Sequence, residues 1–173
     1  MTADTDTTDD LPLLDLDATA QAALVRTGRA SPNDLLDAAI ARIERLNPQV
    51  NALSAWDIEG ARGRARGLDE KAPFAGVPTL LKDILAYSGQ PLGLGSRLLQ
   101  GHVAPSGSPY TNALDASGLL VLGRTTTSEF GLVGTTEALA TGKTRNPWNL
   151  SLSTGGSSGG AAAAVASGMV PIA

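Results

Sequence analysis

The chain has 173 residues, of which 17 % are charged and 42 % hydrophobic, with a net charge of −4 and a pI near 4.9. That balance excludes a basic field for nucleic acid, and the absence of cysteine excludes disulfides, thiol catalysis and zinc–thiolate sites. The length allows one domain with a real hydrophobic core.

Twenty glycines and few aromatic residues suggest a loop-rich α/β protein. No apolar run is long enough to span a membrane. The N-terminus lacks the basic and apolar regions of a signal peptide, so the expected location is cytoplasmic. Residues 1–14 begin acidic and polar and are expected to form a disordered tail. Residues 15–173 are expected to belong to a single domain.

From Asp15, the spacing of Ala20, Ala23 and Leu24 before Gly28 predicts a short helix. A longer helix begins at Ser31-Pro32-Asn33-Asp34, where Ser31 can cap, Pro32 suits the first turn and Asp34 completes a capping box. Leu36, Ala39, Ile40, Ile43 and Leu46 follow at helical spacing, and Asn47-Pro48 is expected to stop the run. Val50–Ala55 reads as a strand. Residues 57–71 read as a solvated helix weakened by three glycines. Its arginines, Arg62, Arg64 and Arg66, fit a solvated face better than a phosphate site.

Residues 74–86 form a near-continuous apolar run, as in a strand covered on both faces. Lys82 and Asp83 interrupt it. One reading is a strand end with Lys82 reaching to water. The other is a lysine whose burial depresses its pKa and fits it to move protons. Residues 87–107 are loop-like and carry the only histidine, His102, with nothing around it that resembles a supported catalytic base. A helix over 109–117, a buried strand over 119–122 and a helix start at Thr127–Phe130 follow. Residues 144–149 form a turn anchored by Trp148. Helices alternating with strands indicate an α/β fold.

The stretch Gly155-Gly156-Ser157-Ser158-Gly159-Gly160 could be a flexible linker. An Ala/Val run follows it, and Gly168 sits where a helix C-terminus takes a residue of positive φ. The loop is therefore expected to open a helix, with a serine at or near the N-cap. No lysine follows the glycines, which excludes a P-loop, and the Gly-x-Gly-x-x-Gly spacing of a dinucleotide fold is absent. Hydroxyl chemistry remains, and its base would have to be a carboxylate or a lysine. Lys82 is the candidate.

Four stretches in order carry a family resemblance. They are Gly76–Asp83, Gly123–Phe130, Thr144–Trp148 and Gly155–Gly160. Together they resemble the amidase signature family over residues 72–173, and more weakly over 16–55. Within the family, the lead-in is most similar to the hydrolases of 6-aminohexanoate cyclic dimer. The resemblance implies a mixed sheet flanked by helices and a Ser–cis-Ser–Lys triad, with no metal or organic cofactor. It assigns Lys82 as base, Ser157 as the relay serine on a cis peptide, and Ser158, Gly155 and Gly156 as supporting residues. The implied reaction is hydrolysis of a carboxamide C–N bond in a small-molecule amide, with a homodimer possible for the whole protein.

The sequence departs from that pattern in one respect. The family's nucleophilic serine and oxyanion donors follow the relay serine at a greater distance, and the last residue, Ala173, lies sixteen positions after Ser157. The 173 residues are therefore expected to be an N-terminal portion without activity of their own. Alternatives are a non-catalytic partner-binding fragment and a glutamine-hydrolysing amidotransferase subunit. Met169–Ala173 reads as the start of a buried strand.

Overall fold

A computed structural model describes residues 13–173; the expected tail lies outside the described residues up to position 12. Leu13–Asp15 form a 3-10 turn with Leu14 buried, so packing begins ahead of the expected boundary. Asp17 then opens α1 (Ala18–Arg26) by accepting the Ala20 N–H at 2.8 Å.

α2 (Pro32–Val50) starts at the expected capping box, with Ser31 Oγ accepting from Asp34 N–H and Asp34 Oδ2 accepting from Ser31 N–H. Its end differs from expectation. The helix runs through Pro48 to Val50 because the last turn is held by other bonds. Asn51 takes a left-handed conformation and donates its N–H to Asn47 O, while Asn47 Oδ1 accepts from the N–H groups of Ala52 and Leu53. Burial of Val50 adds to this. The first strand accordingly starts later, as β1 (Leu53–Trp56).

α3 (Ile58–Arg66) is shorter than expected and less solvated. Arg64 turns inward, where it pairs with Asp57 at 2.9 Å and sits 5.2 Å over the Tyr87 ring. β2 (Pro78–Lys82) occupies only the centre of the apolar run. α4 (Pro109–Ala116) is capped by Ser108, and β3 (Leu120–Thr125) extends past the expected apolar strand because Arg124 and Thr125 are buried as well.

These strands form one mixed sheet of order β1-β3-β2, with β1 antiparallel and β2 parallel to β3. Alternation puts Leu80, Leu120 and Leu122 on one face, against Leu36, Ala39 and Ile43 of α2. Leu81 and Val121 face the other way, with Tyr87 and Leu114. The helix expected at Thr127–Phe130 is a single 3-10 turn, Glu129–Gly131, with Phe130 at φ 52. Two small hairpins follow, β4 (Glu137–Ala138) with β5 (Gly142–Lys143), and β6 (Arg145–Asn146) with β7 (Asn149–Ser153). Trp148 lies in the turn of the second and is 85 % exposed, so it is not an anchor. Among the described residues, the strands of this hairpin pair only with each other.

α5 (Gly159–Ala166) packs Ala163 and Ala164 into the main core. Gly168, at φ +71, and Met169 donate to Val165 O and Ala164 O, both at 2.9 Å. This is the Schellman closure that Gly168 predicted. Met169 and Val170 are buried, and Ile172 bridges parallel to Thr79 of β2.

Candidate active site

The glycine-serine stretch forms a tight, packed entry to α5. Gly159 and Gly160 are buried. A Cβ at Gly160 would lie 2.5 Å from Thr126 N and 2.6 Å from Ala52 O, so only glycine lets α5 start this close to the sheet. Gly155 sits at φ +74, and the Gly156–Ser157 peptide is cis. Ser158 occupies the N-cap position but makes no capping bond. Thr136 Oγ1 performs that task, accepting the Gly159 N–H at 3.1 Å, and its hydroxyl donates to Gly155 O at 2.8 Å. The Ser158 hydroxyl is left free for another partner.

That partner is Lys82. Its Nζ lies 2.8 Å from Ser157 Oγ and 2.8 Å from Ser158 Oγ. Lys82 closes β2 with the same alternation as Leu80, which directs it to the side where α5 packs. Among the described residues, no carboxylate forms an ion pair with it. Desolvation without a compensating anion holds the Lys82 amine below its usual 10.5. An amine that loses its proton more readily, against two hydroxyls, can exchange protons with them.

Asp83 points elsewhere, as adjacency on a strand requires. Its Oδ1 accepts the Gly93 N–H at 2.9 Å. Burial pushes the Asp83 carboxyl up, opposed by the Gly93 N–H and the Arg124 guanidinium. His102 is exposed and, among the described residues, makes no side-chain hydrogen bond to the cluster. Of the arginines of α3, Arg62 pairs with Asp37 at 2.5 Å and Arg64 with Asp57. Among the described residues, no group of three histidines or carboxylates could hold a metal.

Sequence reasoning missed the threonines beneath the loop. Thr126, Thr127, Thr136 and Thr144 are all fully buried. Thr127 Oγ1 donates to Ser157 O at 2.8 Å. Thr126 Oγ1 and Thr144 Oγ1 lie 2.6 Å apart, and Thr144 donates to Asn51 O at 2.8 Å. Thr126, Thr127 and Thr144 lie in stretches that carry the family resemblance, but a run of threonines after a buried strand reads by itself as a polar loop. Beside the cluster, a cavity of about 220 Å³ is lined by Lys82, Ser158, Tyr110 and Ile172 among others.

Fold and site together define an α/β protein with a lysine amine set against paired hydroxyls at a glycine-rich helix entry. The chain belongs to the amidase signature family, whose profile, described as Amidase, matches residues 34–173. It is 44 % identical over 160 residues to the 6-aminohexanoate-cyclic-dimer hydrolase of Paenarthrobacter ureafaciens, covering 91 % of this chain and 32 % of that protein. It is 39 % identical over 168 residues to a glutamyl-tRNA(Gln) amidotransferase subunit of Streptomyces avermitilis, covering 93 % and 34 %. A solved structure of 6-aminohexanoate cyclic dimer hydrolase superposes with a TM-score of 0.88 at 43 % identity, over 91 % of this chain and 33 % of that one. The chain thus spans about a third of the length of the relatives it matches. Among the described residues, no helix is long and apolar enough to cross a membrane.

Proposed function

We propose that these residues form the N-terminal part of one amidase signature domain that hydrolyses a carboxamide C–N bond through a serine–serine–lysine relay. The observation that supports this best is the Lys82 amine, free of any carboxylate among the described residues, at 2.8 Å from both Ser157 and Ser158 hydroxyls. In this reading the neutral amine accepts a proton from Ser157 Oγ. Ser157 is simultaneously reprotonated by an attacking serine supplied from outside residues 1–173. The attacking oxygen bonds to the amide carbon, and the proton returns through Ser157 to the nitrogen as the C–N bond breaks. Water then releases the acyl group. Oxyanion stabilisation also comes from outside these residues, so the 173-residue chain alone is expected to turn over no amide.

The likeness to 6-aminohexanoate-cyclic-dimer hydrolase favours a small amide as substrate. A second reading, a glutamine-hydrolysing amidotransferase component, is supported by the likeness to the Streptomyces amidotransferase and would require partner proteins. Steady-state hydrolysis of a panel of simple amides and of glutamine, in a protein that joins these residues to a complete family C-terminal segment, separates the two. In that protein Lys82→Ala should abolish hydrolysis with an unchanged circular dichroism spectrum. Near wild-type turnover in that variant would refute the relay.

A further inference from the structure

Asp83 is a buried titratable group for which the relay has no use. Its side chain is 6 % exposed and that of its neighbour Arg124 is 1 % exposed, with 3.8 Å between Asp83 Oδ1 and Arg124 Nε. Arg124 Nη2 donates to Lys82 O at 3.1 Å and also to Leu85 O. The pair therefore grips the backbone of β2 where Lys82 leaves it. Asp83 also reaches across to the loop at Gly93, whose N–H it accepts at 2.9 Å.

That loop leans on the other half of the site. Leu94 O accepts the Phe130 N–H at 2.8 Å. A Cβ at Gly95 would stand 2.9 Å from Thr127 O, which shows how closely the loop backbone approaches Thr127. Both contact residues, Leu94 at φ 49 and Phe130 at φ 52, are held in a conformation that side chains disfavour. Thr127 Oγ1 then holds the Ser157 carbonyl at 2.8 Å. The contacts close a ring from the Lys82 backbone through Asp83, the Gly93–Gly95 loop and Thr127 to Ser157, and the Lys82–Ser157 hydrogen bond completes it.

We propose that Asp83 is a positioning residue that sets the Lys82–Ser157 separation by bracing the Gly93–Gly95 loop against Thr127. This rests on the amide-hydrolysis reading above. Proton transfer depends steeply on heavy-atom placement, and a misplacement of about 1 Å can lower a rate about a hundredfold. Asp83→Asn keeps the shape but removes the charge facing Arg124, and Thr127→Val opens the ring at its other end.

Both variants are made in a full-length protein carrying this chain and assayed on benzamide, hexanamide and nitroacetanilide, with Lys82→Ala beside them. Each should lower kcat about tenfold or more with KM within about twofold, the signature of a misplaced relay and not of lost substrate binding. Their effects should be less than additive in the double variant, because both act through one path. Wild-type kcat in both, with Lys82→Ala inactive, overturns the brace and leaves the relay reading intact. A raised KM at unchanged kcat overturns it too. Turnover in Lys82→Ala refutes the relay reading instead. A readout independent of turnover is a crystal structure of Asp83→Asn, or of Thr127→Val if the first does not fold. Lys82 Nζ and Ser157 Oγ should there be out of hydrogen-bond reach, and an unchanged separation overturns the proposal.

Discussion

Lys82 Nζ and Ser157 Oγ meet at 2.8 Å although 75 residues of chain separate them. β2 delivers the lysine, and the buried entry of α5 delivers the serine. The two elements touch because every buried position of α5 is glycine or alanine, which lets it pack directly on the sheet. The contact is therefore as precise as the packing around it, which makes both its chemistry and its support open to test.

Lys82→Arg separates a proton acceptor from a mere positive charge. Arginine stays protonated at all working pH values and can donate to both serines but accept nothing. Loss of general base catalysis costs about 10²–10⁴-fold, so in the protein that joins these residues to a family C-terminal segment kcat should fall by that order with little change in melting temperature. Retention of more than about half of the activity would show that charge, not proton transfer, is what Lys82 supplies.

The depressed pKa of Lys82 has two consequences with a defined sign. In the proposed relay the neutral amine is the base, so kcat/KM should rise with pH through the depressed value and level off above it. The unfolded chain holds the Lys82 proton up to about 10.5, whereas the folded chain releases it at lower pH. Between those two pH values the unfolded state carries more protons, so this group's contribution to stability grows as pH rises. Denaturant titrations of wild type and Lys82→Met across that window should show their stability difference moving in favour of wild type with increasing pH. A flat difference would contradict the shift.

Thr136 satisfies two backbone groups of the loop at once, Gly155 O and Gly159 N–H. Thr136→Val preserves shape and strands both. Leaving buried polar groups unpaired costs about 1–3 kcal/mol, and urea denaturation should register a loss in that range. Activity should fall with it, since the same bonds hold the turn that carries Ser157. A variant as stable as wild type would mean that water replaces the hydroxyl.

Gly160→Ala tests the close approach of α5. Alanine favours helix by about 1 kcal/mol over glycine on propensity alone. The added methyl, however, would meet the backbone at Thr126 N and Ala52 O, which are not flexible side-chain ends. Overpacking of this kind costs about 1–3 kcal/mol, so the net change should be destabilising. A stabilised Gly160→Ala variant, measured by thermal melting, would show that α5 can move away from the sheet.

Local features of the sequence were enough to place the parts whose physics is local. The capping box at Ser31, the C-terminal glycine of α5, the lysine in an apolar run and the serines between glycine pairs each depend on neighbours a few residues away. What sequence could not place depends on partners far along the chain. Pro48 stays helical because Asn47 and Asn51 bond around it and Val50 is buried. Arg124 and Thr126 are polar side chains without a local reason for burial, and they are buried because carbonyls of residues 52, 82 and 85 receive their hydrogen bonds. Trp148 read as an anchor, yet among the described residues its side chain is exposed. The apolar run marked out Lys82 and the family resemblance pointed to Ser157 and Ser158, but the distances between them were not legible. Burial of a polar side chain is decided by whether a distant backbone group arrives to pair with it, and only the folded chain brings those groups together.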